Sequence, residues 1–274
     1  MMRKIVNSSI KLLKEDKMKA LKLSLILSII YTSTMAQLTE VNSGVYTWNE
    51  LPVKEGNQRL GRKILEGTSP HFEYLEIHAT TQEKGAKSSL PHTQEDIEEV
   101  LIVKEGLMEM TMDGVSKTLQ SGSVILIPPL VEQSLRNMGD GPLTYYVMMF
   151  RSKKPIDMER SRKAGGAMFI NVDDLAERAT SLGSSTRYFD RPTATCEGFE
   201  MHVTMLNGKG PSHEPHTHVG SEIILMIAGE TEMLIGDQKY KGRAGDLFFM
   251  ESNIVHGISN IGEVPSKYFA FQWK

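Results

Sequence analysis

Apolar residues along the chain gather in short runs, Val100–Val103, Val124–Ile127, Ile223–Ile227 and Leu247–Met250, each closed by turn-forming residues. The runs are too short for helices and rich in β-branched and aromatic side chains, so they predict strands. Glycines punctuate them at matching intervals: Gly106, Gly114 and Gly122, then Gly229, Gly236 and Gly245. Asp113-Gly114 and Gly236-Asp237 carry the signature of tight hairpins, whose turns need positive φ. Turn signals spaced about 8–12 residues apart predict an all-β sandwich or barrel. The helical pattern is confined to short stretches, around Val172–Ser181 with Asp173 as a cap, and in the charged Ser152–Gly166.

The pattern repeats. At an offset of 124, Glu73, Leu75, Glu76, Ile77 and His78 fall on Glu197, Phe199, Glu200, Met201 and His202, and Val45–Leu51 falls on Phe169–Leu175. Beyond about residue 95 the offset becomes 123, which places Gly106, Gly122, Asn137, Tyr145 and Phe150 on Gly229, Gly245, Asn260, Tyr268 and Trp273. Two homologous units follow, 44–151 and 168–274, joined by a solvated linker at 152–167.

Composition narrows the chemistry. With 31 Lys+Arg against 34 Asp+Glu among 274 residues, the net charge of −3 excludes the strongly basic surface of a nucleic-acid binder. A single Cys, Cys196, excludes a disulfide framework and any multi-cysteine zinc cluster, so nitrogen and oxygen must carry any metal chemistry. Residues 1–36 read as a leader. From Met18, the expected start, a basic opening (Lys19, Lys22) precedes an apolar run from Leu23 to Ile30 and the small-residue ending Thr34-Met35-Ala36. That is the layout of a signal peptide cleaved after Ala36, and the apolar run is too short for a stable membrane anchor. The remaining protein carries 24 basic against 32 acidic residues and is expected to be exported, periplasmic or extracellular, without a membrane span.

Five of the eight histidines lie between residues 202 and 256. In a regular strand the even offsets of His216, His218 and Glu222 would put all three on one face, and His256 can join them from a neighbouring strand. Three imidazoles and one carboxylate suit Mn, Fe, Ni, Cu or Zn. The surrounding sequence GPSHEPHTHVGSEIILMIAG places Gly210, His216, His218, Glu222 and Gly229 at the spacings of the first signature motif of the cupin superfamily, which it resembles at every defining position. GDLFFMESNIVHGISN, with Gly245, His256 and Asn260, resembles the second. Glu251 and Asn253 depart from the usual proline and glycine, at turn positions where Asn tolerates left-handed backbone. The resemblance covers both repeats. It implies two tandem cupin barrels, each a double-stranded β-helix of jelly-roll type, and one divalent metal, Mn or Fe foremost, held by His216, His218, Glu222 and His256.

In the first unit the corresponding positions are His92, Gln94, Glu99 and Gln133, so two imidazoles have become amides, which are poor metal ligands. One extra residue between Gln94 and Glu99 leaves Glu98 and Glu99 as alternatives for the inward carboxylate. The first barrel is expected to be structural or a weak metal binder. Glu200 and His202 could face the second cavity as proton-transfer groups, or lie on the outer face of the sheet. Tyr268, Phe269, Phe271 and Trp273 read as packing residues more than as a substrate platform, His213 as an exposed loop residue, and Arg187 and Arg191 as solvated loop residues or else a clamp for a carboxylate.

The cupin superfamily spans decarboxylases, dioxygenases, isomerases, aminohydrolases and non-enzymatic binders, and fold does not choose among them. The three-His, one-Glu set resembles that of oxalate decarboxylases, germin-like proteins and quercetin dioxygenases, and the tandem layout resembles the ureidoglycine aminohydrolases. The implied function is a Mn- or Fe-dependent enzyme acting on a small oxygen-rich metabolite. The alternative is a module that binds or senses a ligand through the metal without turning it over, which a strictly apolar cavity would favour. By fold analogy, two copies are expected to pair through edge strands.

Overall fold

Each apolar run forms a strand, and each contributes to two cores at once. The computed structural model describes residues 38–274, so the leader expected at 1–36, with its start at Met18 and cleavage after Ala36, lies outside the described residues. In strand Glu98–Glu105, Val100 and Ile102 enter a central core while Leu101 and Val103 enter a second one. In strand Ser221–Ala228, Ile223 and Leu225 join the same central core while Ile224 and Met226 enter a third. A strand buried on both faces has no polar side, hence the unbroken apolar runs in the sequence.

The three cores define two barrels and the contact between them. One seven-stranded antiparallel sheet runs in the order Gly44–Tyr46, Leu247–Met250, Ser221–Ala228, Ser266–Trp273, Phe199–Leu206, Gly183–Arg191, Glu177–Thr180. The other repeats it element for element: Met168–Ile170, Val124–Ile127, Glu98–Glu105, Leu143–Ser152, Phe72–Gln82, Arg59–Gly67, Val53–Gly56. Each large sheet closes over a smaller one. Leu107–Met112, Val115–Gln120 and Gln133–Asn137 complete the N-terminal barrel, and Gly210–Pro211, Glu230–Ile235, Gln238–Arg243 and His256–Asn260 the C-terminal one. The outer faces of the large sheets meet in the central core, where Phe72 stacks on Trp273 at 5.3 Å and tilts against Phe150 at 4.8 Å.

The sequence repeats and the sheets are offset by one strand. Gly44–Tyr46, which opens the first repeat, pairs with Leu247–Met250 in the C-terminal sheet, and Met168–Ile170, which opens the second, pairs with Val124–Ile127 in the N-terminal sheet. After each exchanged strand a short 3₁₀ turn packs on a glycine of the other repeat: Trp48 lies over Gly245, and Val172 over Gly122. Trp48 N–H also donates to Asp246 Oδ1 at 2.8 Å.

Local features largely follow turn chemistry. Asp113 and Gly114, at φ 46° and 78°, make the expected hairpin, and Gly236, at φ 62°, opens the other. Gly106 and Gly229 have φ of 87° and 78°, and a Cβ there would fall 2.4 and 2.6 Å from the carbonyls of Pro142 and Pro265. Only glycine allows that approach. The linker holds the helix Met158–Lys163, capped by Asp157, whose Oδ1 accepts from Arg160 N at 2.8 Å. The expected helix over Val172–Ser181 does not form. Its start is a 3₁₀ turn, Val172–Asp174, capped by Asn171 rather than Asp173, and Glu177–Thr180 is an edge strand paired with Gly183–Thr186. Sheet pairing outweighs a helix too short to stand alone. Among the described residues no helix is long and apolar enough to cross a membrane.

Candidate metal centre

His216, His218, Glu222 and His256 converge at one end of the C-terminal barrel, although not by a single regular strand. His216 and His218 lie in the loop before strand Ser221–Ala228, which carries Glu222, and His256 opens strand His256–Asn260. What brings the loop in is an isolated bridge: His216 N donates to His256 O and His256 N to His216 O, each at 3.0 Å. The face-sharing expected for His216 and His218 therefore comes from this bridge and not from strand alternation. Asn253, at φ 63°, occupies the left-handed turn before His256 and donates its N–H to His218 O at 2.8 Å.

One ring nitrogen from each of the three imidazoles lies within 4.8 Å of the other two. Glu222 Oε2 lies 3.1 Å from His218 Nε2 and 3.0 Å from His256 Nε2. Donors that sit about 2.1 Å from a shared ion, at right angles to one another, are themselves about 3 Å apart, so this spacing fits a metal. The tautomers point the same way. His218 Nδ1 faces Gly220 O and His256 Nδ1 faces Ile254 O, both at 2.8 Å, so each Nδ1 carries the hydrogen. Each Nε2 of a neutral ring then turns a lone pair toward the Glu222 carboxylate. Acceptors packed this closely repel unless a cation is shared among them, whether protons on the rings or a metal ion. Burial pushes the Glu222 carboxyl up, but the bonds to His218 and His256 outweigh burial and hold it at about 2. The His218 imidazole is raised by its bond to Glu222, and burial together with the charges of His256, His213 and His218 lowers His216.

The cluster opens on a cavity of about 410 Å³. His202 and Thr204 line it, because even-numbered residues of strand Phe199–Leu206 face inward while Met201 and Val203 face the central core. His202 Nδ1 lies 3.3 Å from Glu200 Oε1, and Gln272 Nε2 donates to Glu200 Oε2 at 3.3 Å. Glu200 itself borders the adjoining groove beside His218. Tyr268 and Gln272 reach the same cavity, whereas Phe269, Phe271 and Trp273 pack in the central core. The alternation of the last strand was the available sign that Gln272, which sequence reading passed over, shares a face with Tyr268. Ser184, Ser185 and Ser212 add hydroxyls that no motif marks. His213 is exposed, with its ring edge-on to His216 at 4.5 Å. Arg187 and Arg191 lie on strand Gly183–Arg191 and not in a loop. Arg187 pairs with Asp190, and Arg191 donates to the carbonyls of Ala164 and Gly166.

The N-terminal barrel repeats the frame with two of the four donors replaced by amides, Gln94 and Gln133. His92 and Gln133 form the equivalent bridge, and Glu99 rather than Glu98 points inward. Glu98 turns to the opposite face and accepts from Thr193 Oγ1 at 2.7 Å and Thr195 Oγ1 at 2.6 Å. Glu99 instead accepts from Gln133 Nε2 at 2.6 Å and Gln94 Nε2 at 3.4 Å.

Two barrels of this topology, one of them holding a convergent histidine and carboxylate cluster, define a bicupin. The family model of the cupin domain matches residues 79–149 and 202–271, and the chain belongs to that family. Among curated proteins none matches the chain in sequence. Solved structures share the fold. The protein Ylba from E. coli superposes with a TM-score of 0.64 at 16% identity, covering 88% of this chain and 95% of that one. The oxalate decarboxylase of Lactobacillus farciminis, in complex with formate, gives 0.66 at 12% identity over 85% and 86%. AerE from Microcystis aeruginosa gives 0.63 at 11% identity over 81% and 96%.

Proposed function

We propose that the protein is an exported, metal-dependent enzyme whose C-terminal barrel acts on a small oxygen-rich metabolite, a carboxylate, a sugar derivative or a ureido compound. The observation that carries this reading is the convergence of His216, His218 and His256, with Glu222 against the latter two and two of the tautomers fixed by backbone carbonyls, at the head of a cavity that also presents hydroxyl groups. His216, His218, Glu222 and His256 would hold Mn or Fe, with Zn, Ni and Cu as chemically acceptable occupants. The ion would supply Lewis-acid or dioxygenase-type chemistry to a substrate that chelates through oxygen. Around it, Ser184, Ser185 and Thr204 offer hydroxyls to orient such a substrate, and Tyr268 adds a phenol. His202 is the group assigned to carry a proton, with Glu200 beside its Nδ1 to hold the ring.

A cavity furnished in this way favours turnover over mere capture. The likeness to an oxalate decarboxylase makes small dicarboxylates the first compounds to assay. The test is turnover of a panel of oxalate, other small carboxylates, sugar acids and ureido acids by metal-loaded protein, compared with His202→Gln and His218→Ala. The reading requires that His218→Ala lose metal and activity together, and that His202→Gln keep metal but lose turnover. Tight substrate binding without product from any panel member would favour the binding module instead. Export rests on the leader sequence, and a secreted N-terminal peptide beginning at Gln37, read by mass spectrometry, is its test.

A further inference from the structure

The N-terminal barrel retains a cavity of about 550 Å³ at the place equivalent to the metal centre. Two amide N–H groups already satisfy its inward carboxylate, Glu99, so no cation is called for. Deeper on the wall sits Gln82, the last residue of strand Phe72–Gln82 and only 1% exposed. Its Nε2 donates to the Tyr145 hydroxyl at 3.2 Å, while its Oε1 has no hydrogen-bond partner. A buried acceptor left in this state calls for an external donor.

We propose that this cavity is a metal-free binding site for a neutral polyhydroxylated molecule of monosaccharide size, one of whose hydroxyls donates to Gln82 Oε1. Arg59 and Glu99 both line the cavity with opposite charges that offset one another, which suits a neutral ligand. The hydroxyls of Thr80 and Ser134, which donate as well as accept, complement other hydroxyls. Leu101, Val147 and Met149 supply apolar wall for the C–H faces of a sugar ring. The volume falls within the range of about 300–1,000 Å³ typical of small-molecule sites.

The test is titration of the purified full chain with D-glucose, D-galactose, L-arabinose and myo-inositol, by calorimetry and saturation-transfer NMR, with urea and oxalate as comparators. At least one polyol is expected to bind once per chain. Gln82→Leu should weaken that binding about tenfold or more, while His218→Ala, which disables the other barrel, should leave it unchanged. The proposal fails if no polyol binds, if His218→Ala abolishes binding that Gln82→Leu spares, or if urea or oxalate competes for the site and the polyols do not. Crystals of the wild-type protein soaked in the best binder give a reading that needs no variant. Ring density against Gln82 Oε1 supports the site, and water alone there overturns it.

Discussion

Replacing Glu222 by Gln keeps the shape of the side chain and removes the charge that gathers His218 and His256. A carboxyl held at about 2 in the folded protein, against 4.5 when free, corresponds to about 3 kcal/mol of preferential stabilisation of its anion. That is an upper bound, because the amide oxygen still accepts a hydrogen bond and the same attraction also raises His218. The two shifts set a window in the metal-free protein. The Glu222 contribution is present above the unfolded carboxyl value and lost as pH falls through about 2. The His218 contribution is present below the free imidazole value of 6.5 and lost as pH rises through its raised folded value. Urea unfolding of chelator-treated wild type and Glu222→Gln should therefore differ most at about pH 5.5, by about 2–3 kcal/mol, and converge toward low pH and well above neutrality. Adding metal should widen the gap near neutrality, since only the wild type keeps the full donor set. A Gln variant as stable as wild type at about pH 5.5, or a difference that does not vary with pH, would refute the electrostatic reasoning.

Glu98→Ala strands two threonine hydroxyls and the Thr195 N–H in the interior, and should cost about 3 kcal/mol in urea unfolding while leaving metal content unchanged. A loss below about 1 kcal/mol would contradict that bonding. Cys196, 2% exposed and with its thiol pushed up to about 12 by burial and by Glu98, should react with a thiol reagent only in denaturant; fast labelling of the native protein would show the pocket to be open. Because the two large sheets share the Phe72–Trp273 core and exchange their first strands, calorimetry should record one unfolding transition for both barrels, and two separated transitions would contradict the shared core.

The repeat, the all-β class and the convergence of the C-terminal His and Glu side chains were legible because each rests on local chemistry: glycines at positive φ, doubly buried strands, and histidines at fixed motif spacings. The choice between Glu98 and Glu99 was not, because the extra residue before them shifts the face and only the pairing of Glu99 with Ile127 fixes it. The exchange of Gly44–Tyr46 and Met168–Ile170 was also hidden, since internal similarity shows which segments correspond but not which sheet each one joins. His216 and His218 were identified correctly as neighbours, but for a reason that does not apply, since a backbone bridge to His256 and not strand alternation sets their direction. Val172–Ser181 misled because Asn171 and Asp173 signal a cap whether one turn follows or four.

The central claim is that one divalent metal sits in the C-terminal barrel and none in the N-terminal one. Elemental analysis of the purified full chain, alongside His218→Ala, His256→Ala and Gln133→Ala, tests it most directly. The account predicts about one equivalent of metal per chain in wild type and Gln133→Ala, and its loss in both histidine variants. Metal retained after either histidine is removed, or a wild-type chain that takes up none when offered Mn or Fe, would contradict it.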